Sequence, residues 1–333
     1  MVWWLLLVVA GCAPGDARSV GALAGDCAGC HAEQAAALAG SGMGRAAGSA
    51  VFAALREEAR TALGEGAATG CDACHAPAAG DGDGVGCVPC HAAIGDQGPH
   101  DGLVVLDLAG PVRGPTGVAH GAPHDTVQGD YLATSQLCGT CHDVNGPGGF
   151  VEAPFAHWQA GPADAGCADC HMGPVPGEPG APEAGADHAF AGPDDAPEVA
   201  TALLARAVSI DAATDGADLV VTVTNRSPGH RLPDGASFLR ELRVRVDRDG
   251  DEVGSAWLST RLTRDGVEVA SPILADAQVD ASIEPLGQLT LRFVGLAGAR
   301  ACVVFRRYRP DLLAHLGLDP ALAGPEQVVA CAG

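Results

Sequence analysis

The sequence predicts two unlike regions in series: short helices and long Gly/Pro-rich loops packed around covalently held groups over residues 27–198, then an all-β, sandwich-like domain over 199–333. Three observations predict this. A Cys-x-x-Cys-His pentapeptide occurs five times between residues 27 and 171. Aromatic residues make up only 4% of the 333, too few to fill two ordinary cores, because Phe, Tyr and Trp supply the large flat surfaces around which cores pack. From about residue 200 the texture changes to alternation of apolar and polar residues, the period of a half-buried strand.

Residues 1–11, MVWWLLLVVAG, form an apolar run too short to span a bilayer and ending in small residues beside Cys12, which reads as a signal peptide. The stretch LVVAGC at 7–12 resembles a bacterial lipobox, in which the Cys thiol receives a diacylglyceryl group and becomes the mature N-terminus. Residues 12–26 would then be a tether. The run lacks the usual Arg or Lys ahead of it, so either translation starts upstream or this is a plain signal peptide with a coincidental Cys12. Several acyl chains would hold the protein firmly, at about 0.8 kcal/mol per buried methylene. No other stretch of the sequence is long and apolar enough to cross a membrane.

The five pentapeptides are Cys27-Ala-Gly-Cys30-His31, Cys71-Asp-Ala-Cys74-His75, Cys87-Val-Pro-Cys90-His91, Cys138-Gly-Thr-Cys141-His142 and Cys167-Ala-Asp-Cys170-His171. Random placement at this composition gives roughly 0.02 copies. Two thiols three positions apart can reach the two vinyl groups of one porphyrin, and the adjacent His then lies beneath the iron as proximal ligand. Zinc sites do not require a His directly after the second Cys, and a redox dithiol would not be repeated five times. The sequence therefore predicts five c-type haems, attached in an exported, oxidising compartment. Cys302 and Cys331 remain, and are expected either to pair in a disulfide closing the C-terminal tail or to be two separate buried thiols.

Five attachment sites within 145 residues leave about 29 residues of chain for each haem. That is too little to wrap each porphyrin in its own apolar pocket, so the porphyrins are expected to pack on one another and to supply the missing core. Gly, Ala and Pro let the backbone approach them closely. Helices are expected over 32–40 and 49–63, with long loops ordered by the cofactors.

In the second region, LVVTVTN at 219–225 places apolar residues at odd positions, and ELRVRVD at 241–247 places them at even ones. LTLRF at 289–293 repeats the period, and Asp249-Gly250 and Asp265-Gly266 supply turns. The Pro/Gly/Ala-rich stretch 173–185 links the two regions. Their charges differ. The first 198 residues carry 24 acids against 5 arginines and the rest 17 against 14, within a net charge of −22, and the sequence has no Lys. Such an acidic chain lacks the broad basic face that a phosphate backbone needs, which excludes nucleic acid as a partner.

Several stretches carry a family resemblance: GVGCVPCH at 84–91, LCGTCHD at 137–143, FAHW at 155–158 leading into CADCHM at 167–172, and HAF at 188–190. The haem region resembles bacterial multihaem c-type cytochromes of the cytochrome c554-like class. NRSPGHRLPDG at 225–235 resembles a loop in the β-domain that follows such haem regions, where the His is turned toward the haems. The resemblance covers most of 27–308. It implies a multihaem cytochrome c domain with stacked haems, serving in electron transfer, although some relatives are reductases.

Seven His lie outside the motifs, and five would saturate every iron. The resemblance points to His188 and His230 as distal ligands. His120 and His124 follow, because they precede the fourth motif in a Gly/Pro-rich loop. His100, His157 and Met43, whose sulfur could occupy a sixth position or pack in the core, complete the candidates. Where the resembling proteins often carry an acidic residue before Trp158, this chain has His157. His100 and His315 equally suit a solvated surface. No nucleophile–base pair stands out, so no catalytic residue is expected outside the haems.

The function expected is single-electron relay through five haems in the periplasm or outer cell envelope. The partners expected are redox proteins or other multihaem cytochromes, and the membrane through a lipid anchor. Two alternatives stay open: a reductase of a small oxyanion or nitrogen species with one open iron, and a conduit subunit docking through its β-domain.

Overall fold

The computed structural model describes residues 19–23, 26–77, 84–98, 102–115, 122–146, 151–173 and 186–333. The signal peptide, Cys12 and the ligand candidates His100 and His120 lie outside the described residues. No described helix is long and apolar enough to cross a membrane.

The first region is built of short pieces. Helices α1 (Ala32–Gly40) and α2 (Ala50–Leu63) occupy the two stretches where helix was predicted. Ser49 caps α2 by accepting the Phe52 amide at 3.4 Å, and Gly64, at φ +96°, ends it, a conformation glycine tolerates without strain. Helix α3 (Glu65–His75) carries the second motif at its end, and a two-pronged Arg56–Asp72 pair at 2.7 and 2.6 Å ties it to α2. One-turn α4 (Val88–His91) holds the third motif. A hairpin of β1 (Ala93–Asp96) and β2 (Val104–Leu106) follows, then the parallel pair β3 (Val112–Gly114) and β4 (Thr126–Gln128). Helix α5 (Ser135–Gly139) opens the fourth motif, the pair β5 (Val144–Asn145) and β6 (Val151–Glu152) follows it, and α6 (Pro154–Ala160) leads to α7 (Cys167–His171), the fifth motif.

The second region opens with α8 (Pro197–Ala207). Two antiparallel sheets then face one another. One has the order β14 (Gln288–Phe293), β8 (Asp218–Asn225), β7 (Val208–Asp215); the other β10 (Asp251–Trp257), β9 (Glu241–Arg248), β15 (Arg300–Arg306), β16 (Gln327–Ala332). The alternation decides which faces meet: Leu219, Val221 and Val223 of β8 and Leu242, Val244 and Val246 of β9 point into the shared core with Val303 and Phe305. Asp249-Gly250 and Asp265-Gly266 have positive φ at both residues, the paired requirement of a type I′ hairpin turn. A small sheet of β11 (Arg261–Arg264), β12 (Val267–Val269) and β13 (Ala277–Val279) packs Leu262 with Phe238 and Ala275 in a separate cluster. Cys302 and Cys331 are directly opposed on β15 and β16 and joined in a disulfide.

The regions share a seam. Val51 and Leu55 of α2 pack with Leu312 and Leu313 of α9 (Pro310–His315), a helix of the second region. Beside them Glu58 accepts from Ser271 Oγ at 2.6 Å and faces His315 Nε2 at 2.8 Å. On the outer sheet face Arg243 pairs with Glu241, Glu252 and Glu326, so this arginine is matched within the fold.

Candidate cofactor site

In every motif the backbone makes one helical turn. The His31, His91 and His142 amides donate to Cys27, Cys87 and Cys138 carbonyls at 2.9, 3.0 and 2.8 Å, and α3 and α7 carry the other two motifs in helix. Positions i, i+3 and i+4 of a helix lie on one face, so both thiols and the imidazole of each motif project together. All ten motif cysteines and all five motif histidines line a single cavity of about 2860 Å³, against ~300–1,000 Å³ for an ordinary ligand pocket. Alanine, glycine and proline make up much of its wall, with Phe52, Phe155, Trp158 and Phe190.

The imidazoles are prepared for metal. Burial lowers the pKa of His75, His91 and His142 and takes His171 down to about 4, which keeps the rings neutral, as metal ligation requires. Nδ1 of His91 lies 2.6 Å from the Arg113 carbonyl and Nδ1 of His75 lies 3.2 Å from that of Ala46. A carbonyl only accepts, so Nδ1 carries the proton and Nε2 keeps its lone pair. Outside the motifs, His124, His188 and His230 do the same toward Asp125, Ala186 and Arg231 carbonyls at 3.3, 2.7 and 2.8 Å.

These rings pair. His31 and His124 have centroids 6.5 Å apart, His91 and His188 6.4 Å, and His171 and His230 6.2 Å. The last two pairs are within 12° and 9° of parallel. Two imidazoles bound trans to one metal, with bonds of about 2 Å and a further ~1.1 Å from nitrogen to ring centre, place their centroids about 6.3 Å apart. The spacing therefore fits one iron between each pair, too wide for rings in van der Waals contact. Among the described residues no group of three or more His, Cys, Asp or Glu side chains is placed to hold a metal ion.

The other candidates fall elsewhere. His75 has Phe52 stacked on its ring at 4.0 Å, and His142 lies within electrostatic reach of His75 and His230. Met43 lines the cavity. His157 is turned to Asp234, with Nδ1 2.8 Å from the carboxylate. His315 pairs with Glu58, far from the motifs in sequence and on the seam between regions.

Neighbouring motifs touch. Cys138 hydrogen-bonds Cys167, pulling the Cys167 thiol below its ordinary range, and Cys74 does the same for Cys141. Cys90 is within electrostatic reach of Cys138, and His31 and His124 of His91. Hydrogen bonds thus set motifs two and five beside four, while electrostatic reach links one to three and three to four. Close backbone approach is built in: a Cβ on Gly139, between the cysteines of motif four, would sit 2.5 Å from the Phe155 ring. Glu152 also faces the cavity, and burial pushes its carboxyl up to about 7. Neither Glu152 nor Asp234 was legible as a site residue, since only the fold brings them to the cavity wall. A carboxylate four residues beyond His230 was the available signal for Asp234.

No family model and no curated protein matches this sequence. Among solved structures the chain is similar to a penta-heme cytochrome c552 from Thermochromatium tepidum, with a TM-score of 0.71 and 21% identity over 95% of this chain and 99% of that one. The two share a fold along nearly their whole lengths.

Proposed function

We propose that this chain is a pentahaem c-type cytochrome, of the cytochrome c554-like class, that relays single electrons in the cell envelope. The observation that carries the reading is the set of three imidazole pairs at 6.2–6.5 Å on the wall of one cavity lined by all five Cys-x-x-Cys-His motifs. Haem iron bound there supplies one-electron chemistry. The ten motif thiols would hold the five porphyrins, with His31, His75, His91, His142 and His171 as the motif ligands. His124, His188 and His230 would be the second ligands for motifs one, three and five, which would leave those irons no open site. The chain of motif contacts supports a stack running one, three, four and branching to two and five. His31 and Cys30 are exposed, which makes motif one the natural place for a redox partner to exchange electrons, whereas burial dominates the His142 environment in the middle.

One observation favours a second reading, a reductase of a small oxyanion or nitrogen species. Glu152 would hold a proton on the cavity wall near neutral pH. We also propose export and a lipid anchor at Cys12. Intact mass of the mature protein is expected to show five haems and an acylated N-terminal Cys12; four or fewer haems, or an unmodified N-terminus, overturns the corresponding part. Electron paramagnetic resonance of the oxidised protein separates the readings: only low-spin signals for relay, a high-spin signal for the reductase.

A further inference from the structure

Loop 225–235, which carries His230, is fastened from two sides. On the sheet side, fully buried Asn225 donates from Nδ2 to the carbonyls of His230, Ile283 and Glu284 at 3.1, 3.1 and 3.2 Å, and its Oδ1 accepts from Ser227 N at 2.9 Å. On the haem-region side the fastening is His157. Its Nδ1 donates to Asp234 Oδ2 at 2.8 Å across 77 residues of sequence, while Asp234 Oδ1 accepts the Gly235 amide at 2.8 Å. The Asp234 side chain is only 6% exposed. At the end of α6, Gly161 lies against the loop: a Cβ there would be 3.3 Å from the Gly229 carbonyl oxygen and 3.4 Å from that of Pro228. His230 Nδ1 lies 3.7 Å from the same Asp234 oxygen and 2.8 Å from the Arg231 carbonyl. The carboxylate thus holds the loop rather than bonding the ring.

We infer that His157, acting through Asp234, is a positioning residue that seats His230 opposite His171. The inference rests on the reading that His171 and His230 share one iron. Groups that orient ligand histidines typically change metal affinity by about 10- to 100-fold when removed. Without His157, Asp234 would be a buried carboxylate lacking its cross-region partner, which is unfavourable until the loop shifts and water enters. That shift moves His230 off its axis. The helix that carries His157 also packs Phe155 against motif four, and Trp158 Nε1 donates to the Ala165 carbonyl at 2.8 Å just before motif five, so α6 registers three parts of the site at once.

The test uses the full-length holoprotein, with His230→Ala as reference. His230→Ala is expected to turn one of the five haems high-spin; if it does not, the shared-iron reading fails, and this inference with it. His157→Ala is expected to keep five covalent haems while the same haem takes up cyanide about 10-fold faster and shifts its low-spin resonance signal, the others staying unchanged. His157→Gln, which restores a donor of similar reach, is expected to recover most of the wild-type behaviour. If His230→Ala creates the high-spin haem but His157→Ala leaves cyanide uptake and signal at wild-type values, the positioning role is overturned and only the ligation stands. Should His157→Ala not accumulate with five haems, Asp234→Asn decides, since it keeps the shape and removes the charge. A smaller change confined to the same haem supports the inference, and an unchanged haem overturns it.

Discussion

Five imidazoles, His75, His91, His124, His188 and His230, each turn Nδ1 to a backbone carbonyl. The shared tautomer follows from carbonyls being acceptors only, and it leaves Nε2 as the one nitrogen able to bind metal. Glu152 shows the same burial acting on an acid. Its ordinary value of 4.5 is pushed up to about 7, with Asp234 adding to the rise and Arg240 opposing it. Between those values the folded chain holds a proton that the unfolded chain has released. The associated stability is full below about pH 4.5 and is lost as the pH rises through about 7. Glu152→Gln is neutral at every pH and should flatten this dependence, gaining on the order of 3 kcal/mol over wild type at pH 8. Denaturant unfolding at pH 5 and pH 8 measures it; a gain equal at both would show that the carboxyl is not buried in the holoprotein.

A pentapeptide makes only one turn of helix, and none of α4, α5 and α7 is longer than five residues. Such short helices are unstable alone, since nucleation costs more than one turn returns. They persist through what packs on them. The strands stand differently. In β8 and β9 every second residue is buried, so the pattern specifies register, because a slip of one residue would expose the whole apolar set. The disulfide reinforces the β15–β16 edge across 29 residues of sequence. By the chain-entropy account, a loop of that size contributes about 3–4 kcal/mol. The double variant Cys302→Ala/Cys331→Ala should lose stability of that order in thermal unfolding while keeping its haem spectrum. A changed haem spectrum would mean that the sheet edge communicates with the cavity.

Across the whole chain the core is divided unequally. Every described member of the largest buried cluster lies at residue 200 or beyond, whereas the first region surrounds a cavity of about 2860 Å³. The second region should therefore keep its fold without cofactor and the first should not. Exported from a host that cannot attach haem, the chain is expected to yield to limited proteolysis before α8 and to leave a resistant fragment containing β7 to β16. Equal resistance of both regions would show that residues 27–196 fold without porphyrin. The α2–α9 seam, with Glu58 bridging Ser271 and His315, is what such a fragment would lose.

The sequence alone determined whatever depends on local spacing. The five motifs, the helices over 32–40 and 49–63, the alternation at 219–225 and 241–247 and the two Asp-Gly turns are set by periods of three to four residues or of two, within reach of one segment. Pairing was different. That His31 meets His124, His91 meets His188 and His171 meets His230 depends on where separate segments settle around one cavity, and nothing near His124 or His230 in sequence names its partner. The same holds for His157, legible as a ligand candidate because its residue type allows it. Only the packing of α6 against loop 225–235 brings Asp234 within 2.8 Å of its Nδ1.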